Sequence, residues 1–165
     1  MTGTIHTYRT SLTWRGSTAE GYGAYDRTHS VVAPPAEATL TLSSDPAFSG
    51  DPSLLSPEQL LVLSASSCQL LSFIAVAARS RIDVVAYRDS AEAVMPEDDS
   101  PTRITRIDLR PIVTIRSGGA GAPSDDRLLH LCEVAHEECY VANSLRTEVV
   151  VIPTFERQNT PSEDV

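Results

Sequence analysis

Apolar and polar positions alternate over residues 6–15, where Tyr8, Leu12 and Trp14 fall on one face, as a half-buried strand requires. Gly16 to Gly21 reads as a turn, Tyr22 to Val32 as a returning strand, and Glu37 to Ser43 as a third strand that alternates Ala38, Leu40 and Leu42. The stretch from Ser44 to Ser53, with Asp45-Pro46 and Gly50-Asp51-Pro52, is built from turn residues. The period then changes. Ser56 is a candidate N-cap, Pro57 suits the first helical position, and Gln59 completes a capping box for a helix that Arg79 to Arg81 end. Ile82 to Val94 reads as a strand, Pro96 to Pro101 as an acidic loop, and Ile104, Ile107, Leu109, Ile112 and Ile115 as a further strand. After a glycine-rich turn over residues 117–123, Ser124 caps a second helix whose first turn carries Asp125 and Asp126, as the helix dipole favours. That helix is expected to run to about Asn143, and Thr147 to Phe155 forms the last strand. Strands, helix, strands, helix and strand describe one α+β domain over residues 1–155, followed by a polar tail, 156–165, expected to be disordered.

The chain has 165 residues, enough for one domain with a proper core. Its formal charge of −9 argues against nucleic acid and anionic membrane surfaces as partners. Leu60 to Ala78 carries no charge and is long enough to span a bilayer, but serines and Gln69 interrupt it and amphipathic strands surround it. A helix apolar on nearly all sides then reads as one buried centrally in a soluble protein. Three cysteines, an odd number without disulfide-scaffold spacing, favour a reducing compartment, the cytoplasm. The N-terminus shows neither a basic cluster nor an apolar stretch of the signal-peptide kind.

Candidate chemistry centres on those cysteines. Cys68 sits in the uncharged helix and Cys139 near the end of the second helical stretch. A buried thiol is either inert filling or a protected nucleophile, and a nucleophile needs a cation or hydrogen-bond donors to hold its anion. Cys68 lies mid-helix, so the charge must come from elsewhere. Arg27, in Tyr25-Asp26-Arg27-Thr28-His29, is a candidate, and Glu58 in the first helical turn is placed to hold such an arginine by a bidentate pair. The bland alternative is that Cys68 packs as a small hydrophobe and Glu58 complements the helix dipole. Cys132, His136 and Cys139 would share one helical face, a possible zinc donor set, yet the usual close cysteine pair is missing and the same pattern describes a core-facing helix. The Gly118–Gly121 run lacks the residues of a phosphate loop.

Pro57-Glu58-Gln59-Leu60-Leu61 with Ser66-Ser67-Cys68, followed by Ala135-His136-Glu137-Glu138-Cys139-Tyr140-Val141-Ala142-Asn143-Ser144, resembles the OsmC/Ohr family (osmotically inducible protein C and organic hydroperoxide resistance). The stretch 25–29 together with Asp45-Pro46-Ala47-Phe48-Ser49-Gly50-Asp51 is similar to its OsmC-like branch. The resemblance covers about residues 6–155. It implies two long central helices wrapped by antiparallel β-sheets in an intertwined homodimer, with active sites at the subunit interface. It also implies a thiol peroxidase in which Cys68 is peroxidatic and Cys139 resolving, while Arg27 and Glu58 form the activating pair. Arg15 is the rival to Arg27. Gln69 departs from the histidine that follows the cysteine in many OsmC-like relatives, and Cys132 is an additional thiol.

The expected function is therefore reduction of organic hydroperoxides, or of hydrogen peroxide, through a sulfenic acid and disulfide cycle reset by an external thiol, with no metal or organic cofactor. The alternative from another class is a non-catalytic dimer of the same fold that binds a small apolar ligand or senses oxidant.

Overall fold

The structure, a computed structural model, describes residues 3–117 and 123–159. The glycine run expected as a turn, at 118–122, and the end of the polar tail lie outside the described residues. The chain falls into two compact units, Met1–Leu60 and Leu61–Val165.

In the first unit, β1 (Ser11–Thr13), β2 (His29–Val32) and β3 (Thr39–Leu42) form an antiparallel sheet in which Leu12 faces Val31 and Val31 faces Leu40. These strands are shorter than the alternation predicts because the chain between them bonds to itself. Trp14 Nε1–H donates to the Asp26 carbonyl at 2.8 Å, and Gly21, at φ +89°, joins two turns, its N–H donating to the Thr18 carbonyl and its carbonyl accepting Ala24 N–H. Gly16 is needed beside the indole, since a Cβ there would lie 2.6 Å from the Trp14 ring. After β3, Asp45 caps a 3₁₀ turn over Pro46–Phe48, and Gly50 lies so close to Ser44 that a Cβ would collide with its carbonyl.

The helix α1 (Pro57–Arg79) starts where the sequence places it. Gln59 N–H donates to Ser56 Oγ at 3.3 Å, and Ser56 N–H donates to Gln59 Oε1 at 2.9 Å, a completed capping box. Its burial differs from the expectation. Ala65, Gln69, Phe73, Val76 and Ala77 form one buried stripe, while Leu63, Leu71 and Ile74 are exposed. This helix is long and apolar enough to cross a membrane by length and composition, and it packs one face into a protein core.

In the second unit, three stretches read as single strands each divide into two. The divided pairs are β4 (Val84–Asp89) with β5 (Glu92–Val94), β6 (Arg106–Leu109) with β7 (Pro111–Ser117), and β8 (Glu148–Val151) with β9 (Thr154–Asn159). One sheet takes the order β4-β7-β9 and the other β5-β6-β8. The crossing points have backbone reasons. Pro111 and Pro153 have no N–H to give a ladder, and Arg110 N–H is taken at 2.7 Å by the Asp89 carboxylate. The β6–β8 and β7–β9 pairs are parallel, so the sheets are mixed rather than antiparallel throughout. β9 also continues through Glu156 to Asn159, into residues read as tail.

Two cores result. Phe73, Val76 and Ala77 of α1 pack with Val113 and Ile115 of β7 and with Leu128, Leu131, Cys132 and Ala135 of α2 (Asp125–Glu137). Ala65, near the start of α1, packs with Ile107 and Leu109 of β6. Ser124 caps α2 as predicted, accepting from Arg127 N–H at 3.3 Å. Phe73 is 1% exposed at the centre of the larger core. Phe73→Ala is expected to lower unfolding free energy by about 3–5 kcal/mol in urea denaturation. A loss below about 1 kcal/mol would contradict its place in the core.

Candidate active site

Cys68 lies mid-way along α1, half-buried, and what faces it is set by a break in the following helix. The sequence predicts one helix to about Asn143, but α2 stops at Glu137. Cys139 is extended (φ −78°, ψ 100°) and serves as N-cap of a separate turn, α3 (Tyr140–Asn143). The break is stabilised by side chains. Asn143 Nδ2 donates to the Glu137 carbonyl at 2.8 Å, and the Glu138 carboxylate accepts Arg79 Nη2 from the end of α1 at 2.5 Å.

The consequence is that α3 presents its first amides to α1. Val141 N–H donates to Cys68 Sγ at 3.5 Å, and the Cys139 thiol meets that of Cys68. Cys139 is 1% exposed, and burial first, then the Cys68 thiol, pushes its pKa up to about 11. The amides of Ala142 and Val141 act in the opposite sense. Both sulfurs are free thiols. Cys68 and Cys139, 71 positions apart in sequence, are thus brought together within one chain.

Cys132 belongs to the core beside this site. Burial, with a smaller effect from Glu133, pushes its thiol up to about 12, so it is protonated at any working pH. Gln69, fully buried next to Cys68, points Nε2 at the Cys132 carbonyl at 3.5 Å. Tyr87 of β4 packs on Phe73, and its phenol is raised by burial and then by Asp89, Cys132 and Cys139. Asp89 accepts Ser66 Oγ–H at 2.5 Å and so ties α1 to β4 two residues before the Cys68 thiol. Cys132 and His136 line a cavity of about 160 Å³ with Leu129, Glu133, Val151 and Pro153. The helix break takes Cys139 out of regular helical phase with them. Among the described residues, no three His, Cys, Asp or Glu side chains stand where they would hold a metal ion.

In the first unit, Arg27 sits in the β1–β2 connection. Its Nη1 donates to the Tyr25 carbonyl at 2.9 Å and its Nη2 to the Tyr22 carbonyl at 2.6 Å. The guanidinium carbon lies 4.0 Å from the Tyr25 ring centre and 4.7 Å from that of Tyr22. Glu58 lies in the first turn of α1, and its Oε2 is buried without a hydrogen-bond partner. Among the described residues, Arg27 and Glu58 form no ion pair. Arg15 is exposed. Sequence reasoning missed Tyr22 and Tyr25 as the seat of Arg27. Their spacing was legible, but reading the segment as strand overlooked the flanking Gly21 and Gly23.

With this geometry in hand, the class is an α+β protein that apposes two thiols beside a short helical turn. The chain belongs to the OsmC-like protein family, whose model matches residues 50–154. An OsmC-like protein of unknown function from Vibrio cholerae superposes with a TM-score of 0.81 at 27% identity, over 91% of this chain and all of that one. An organic hydroperoxide resistance protein from Elizabethkingia anophelis gives 0.68 at 16% identity, over 95% of this chain and 100% of that one. One from Legionella pneumophila gives 0.67 at 17%, over 93% and 99%. At those identities the last two show a shared fold. No curated protein sequence matches the chain.

The thiols should differ in reactivity. Iodoacetamide on the native protein at pH 8, followed by peptide mass mapping, is expected to label Cys68 first, Cys139 slowly and Cys132 least. Since the thiolate reacts, raising the pH toward 11 should bring Cys139 in before Cys132. Early labelling of Cys132 would contradict the assignment of the inert thiol.

Proposed function

We propose that this protein is a thiol-dependent peroxidase that reduces organic hydroperoxides. The observation that carries the reading is the apposition of Cys68 and Cys139 at the start of α3, with Val141 N–H donating to Cys68 Sγ. The Cys68 thiolate attacks the distal peroxide oxygen, the O–O bond breaks, and the alkoxide leaves and takes a proton as the alcohol. Cys68 becomes sulfenic acid. Cys139 then displaces its hydroxyl as water and forms the Cys68–Cys139 disulfide. An external dithiol reduces that bond and is itself oxidised to a disulfide, which closes the electron balance. The free thiols suit a reducing compartment, and the reading places the protein in the cytoplasm.

Arg27 is assigned as the cation for the thiolate and the peroxide, and Glu58 as the carboxylate that orients it. The unpartnered Glu58 Oε2 supports an acceptor waiting for a donor beyond the hydrogen bonds of this chain. The working form is a homodimer. Leu63 and Leu71 stand 57% and 60% exposed on a helix of this apolarity, and Leu12 of β1 is 62% exposed, surfaces that a second copy would bury. The second reading, a non-catalytic binding dimer, is favoured by the aromatic cavity of the first unit.

Cumene hydroperoxide consumption with a dithiol reductant is expected for the wild type and lost by at least about a hundredfold in Cys68→Ser, as removal of a nucleophile requires. Cys68→Ser at the wild-type rate would exclude the mechanism. Arg27→Ala should slow the peroxide step more than Glu58→Gln does, with Arg15→Ala near wild type. Sedimentation at micromolar concentration should give a dimer, and a clean monomer would contradict the interface model.

A further inference from the structure

The Tyr87 hydroxyl is buried and has no hydrogen-bond partner. The other side-chain oxygens in that state among the described residues, on Glu58, Gln69 and Asp99, are acceptors, so this is the one unspent hydroxyl donor. Burying a donor without a partner destabilises a fold, and phenylalanine would fill the same space without that cost. The hydroxyl therefore calls for a partner that needs it in some other state of the protein.

Its surroundings name that partner. Ser66, Gln69 and Phe73 stand at i, i+3 and i+7 and form one stripe of α1. β4 lies along this stripe. Asp89 accepts Ser66 Oγ–H, and two residues earlier on the same strand face the Tyr87 ring packs on Phe73, with ring centres 6.1 Å apart. Gln69, in the middle of the stripe, reaches α2 through Nε2 to the Cys132 carbonyl. Tyr87 thus stands where β4, α1 and α2 meet. Its phenol feels burial first and then Asp89, Cys132 and Cys139, all of which raise it and keep it protonated. It is a donor, not a base.

Of the three groups that act on the phenol, two have no use for its proton. Both carboxylate oxygens of Asp89 are taken, one by Ser66 Oγ–H and one by Arg110 N–H. Cys132 stays a thiol in the core. Cys139 remains, and of the two α3 amides that favour its anion, Val141 N–H already donates to Cys68 Sγ.

We propose that the Tyr87 hydroxyl is a catalytic donor to the Cys139 sulfur, holding it as a thiolate while it attacks oxidised Cys68. This rests on the two-thiol cycle proposed above. In that cycle the Cys139 proton leaves with the hydroxyl of the Cys68 sulfenic acid as water, and the S–S bond forms as the S–O bond breaks. Tyr87 keeps its own proton. The titratable groups facing the pair are Asp89 of β4, Cys132 of α2 and Cys68 of α1.

The step can be timed without peroxide. One equivalent of dithiobis(nitrobenzoate) converts Cys68 to a mixed disulfide and releases one nitrothiobenzoate. Attack by Cys139 on Cys68 Sγ then releases a second and leaves the Cys68–Cys139 disulfide. Wild type should show both releases, and Cys139→Ser only the first. In Tyr87→Phe the first release should keep its rate, and the second should be at least about threefold slower at pH 8, as for a thiolate deprived of one charge-assisted hydrogen bond. The same variant should keep native circular dichroism and at least wild-type stability in urea, because the ring stays on Phe73 and only an orphan group is lost. Equal second-release rates in wild type and Tyr87→Phe, or no second release in wild type, would overturn the inference. A variant less stable than wild type would overturn it too, since the hydroxyl would then be bonded at rest. Peroxide consumption by the wild type, measured separately, tests the peroxidase reading.

Discussion

The candidate site depends on one backbone event, the interruption of the second helical stretch between Glu137 and Tyr140. An unbroken helix would carry Cys139 onward on the face it shares with Cys132, spend the Val141 amide inside its own hydrogen-bond ladder, and leave the mid-helix Cys68 without a donor. The break frees that amide for Cys68 Sγ and turns Cys139 into an N-cap whose thiol meets the first one. Its stabilisers are ordinary. One asparagine amide covers an orphan carbonyl, and one exposed ion pair, worth less than about 1 kcal/mol, holds Glu138 to the end of α1.

Much of this was legible in the sequence where local chemistry dictates local structure. Ser56, Pro57 and Gln59 specify the start of α1, and Ser124 the start of α2, because a capping hydrogen bond needs only residues three apart. Of the apolar positions read for the strand after the acidic loop, Ile104, Ile107, Leu109 and Ile115 are buried, whereas Ile112 is only half-buried and Val113, which that reading passed over, takes the core face. Alternation does not say which sheet a strand joins. Leu109 and Val113 keep one phase across Arg110, yet β6 and β7 belong to different sheets, and at the crossing the Arg110 N–H goes to the carboxylate of Asp89, 21 residues away. The break before Cys139 was illegible for the same reason. No Gly or Pro marks it, and Arg79, which helps hold it, lies 59 residues away.

The three thiols show how environment separates identical side chains. Cys132 and Cys139 are both buried, and burial disfavours the thiolate of each. Only Cys139 has helix amides opposing that effect, and only Cys139 stands against a second sulfur. Cys132, despite its regular helical spacing from His136, is packing material. In the first unit Arg27 is held by carbonyls and aromatic faces of its own loop, which take two of its five N–H donors and leave the others for the pairing that the proposed function assigns to Glu58.

The central claim is that Cys68 and Cys139 form one redox pair. Its most direct measurement is a disulfide map of the protein after one equivalent of cumene hydroperoxide, with thiols blocked by N-ethylmaleimide in acid before digestion. The account predicts one linked peptide joining Cys68 to Cys139 within the same chain, with Cys132 recovered as the maleimide adduct. A Cys132 linkage, or oxidised protein with all three thiols still free, would contradict it.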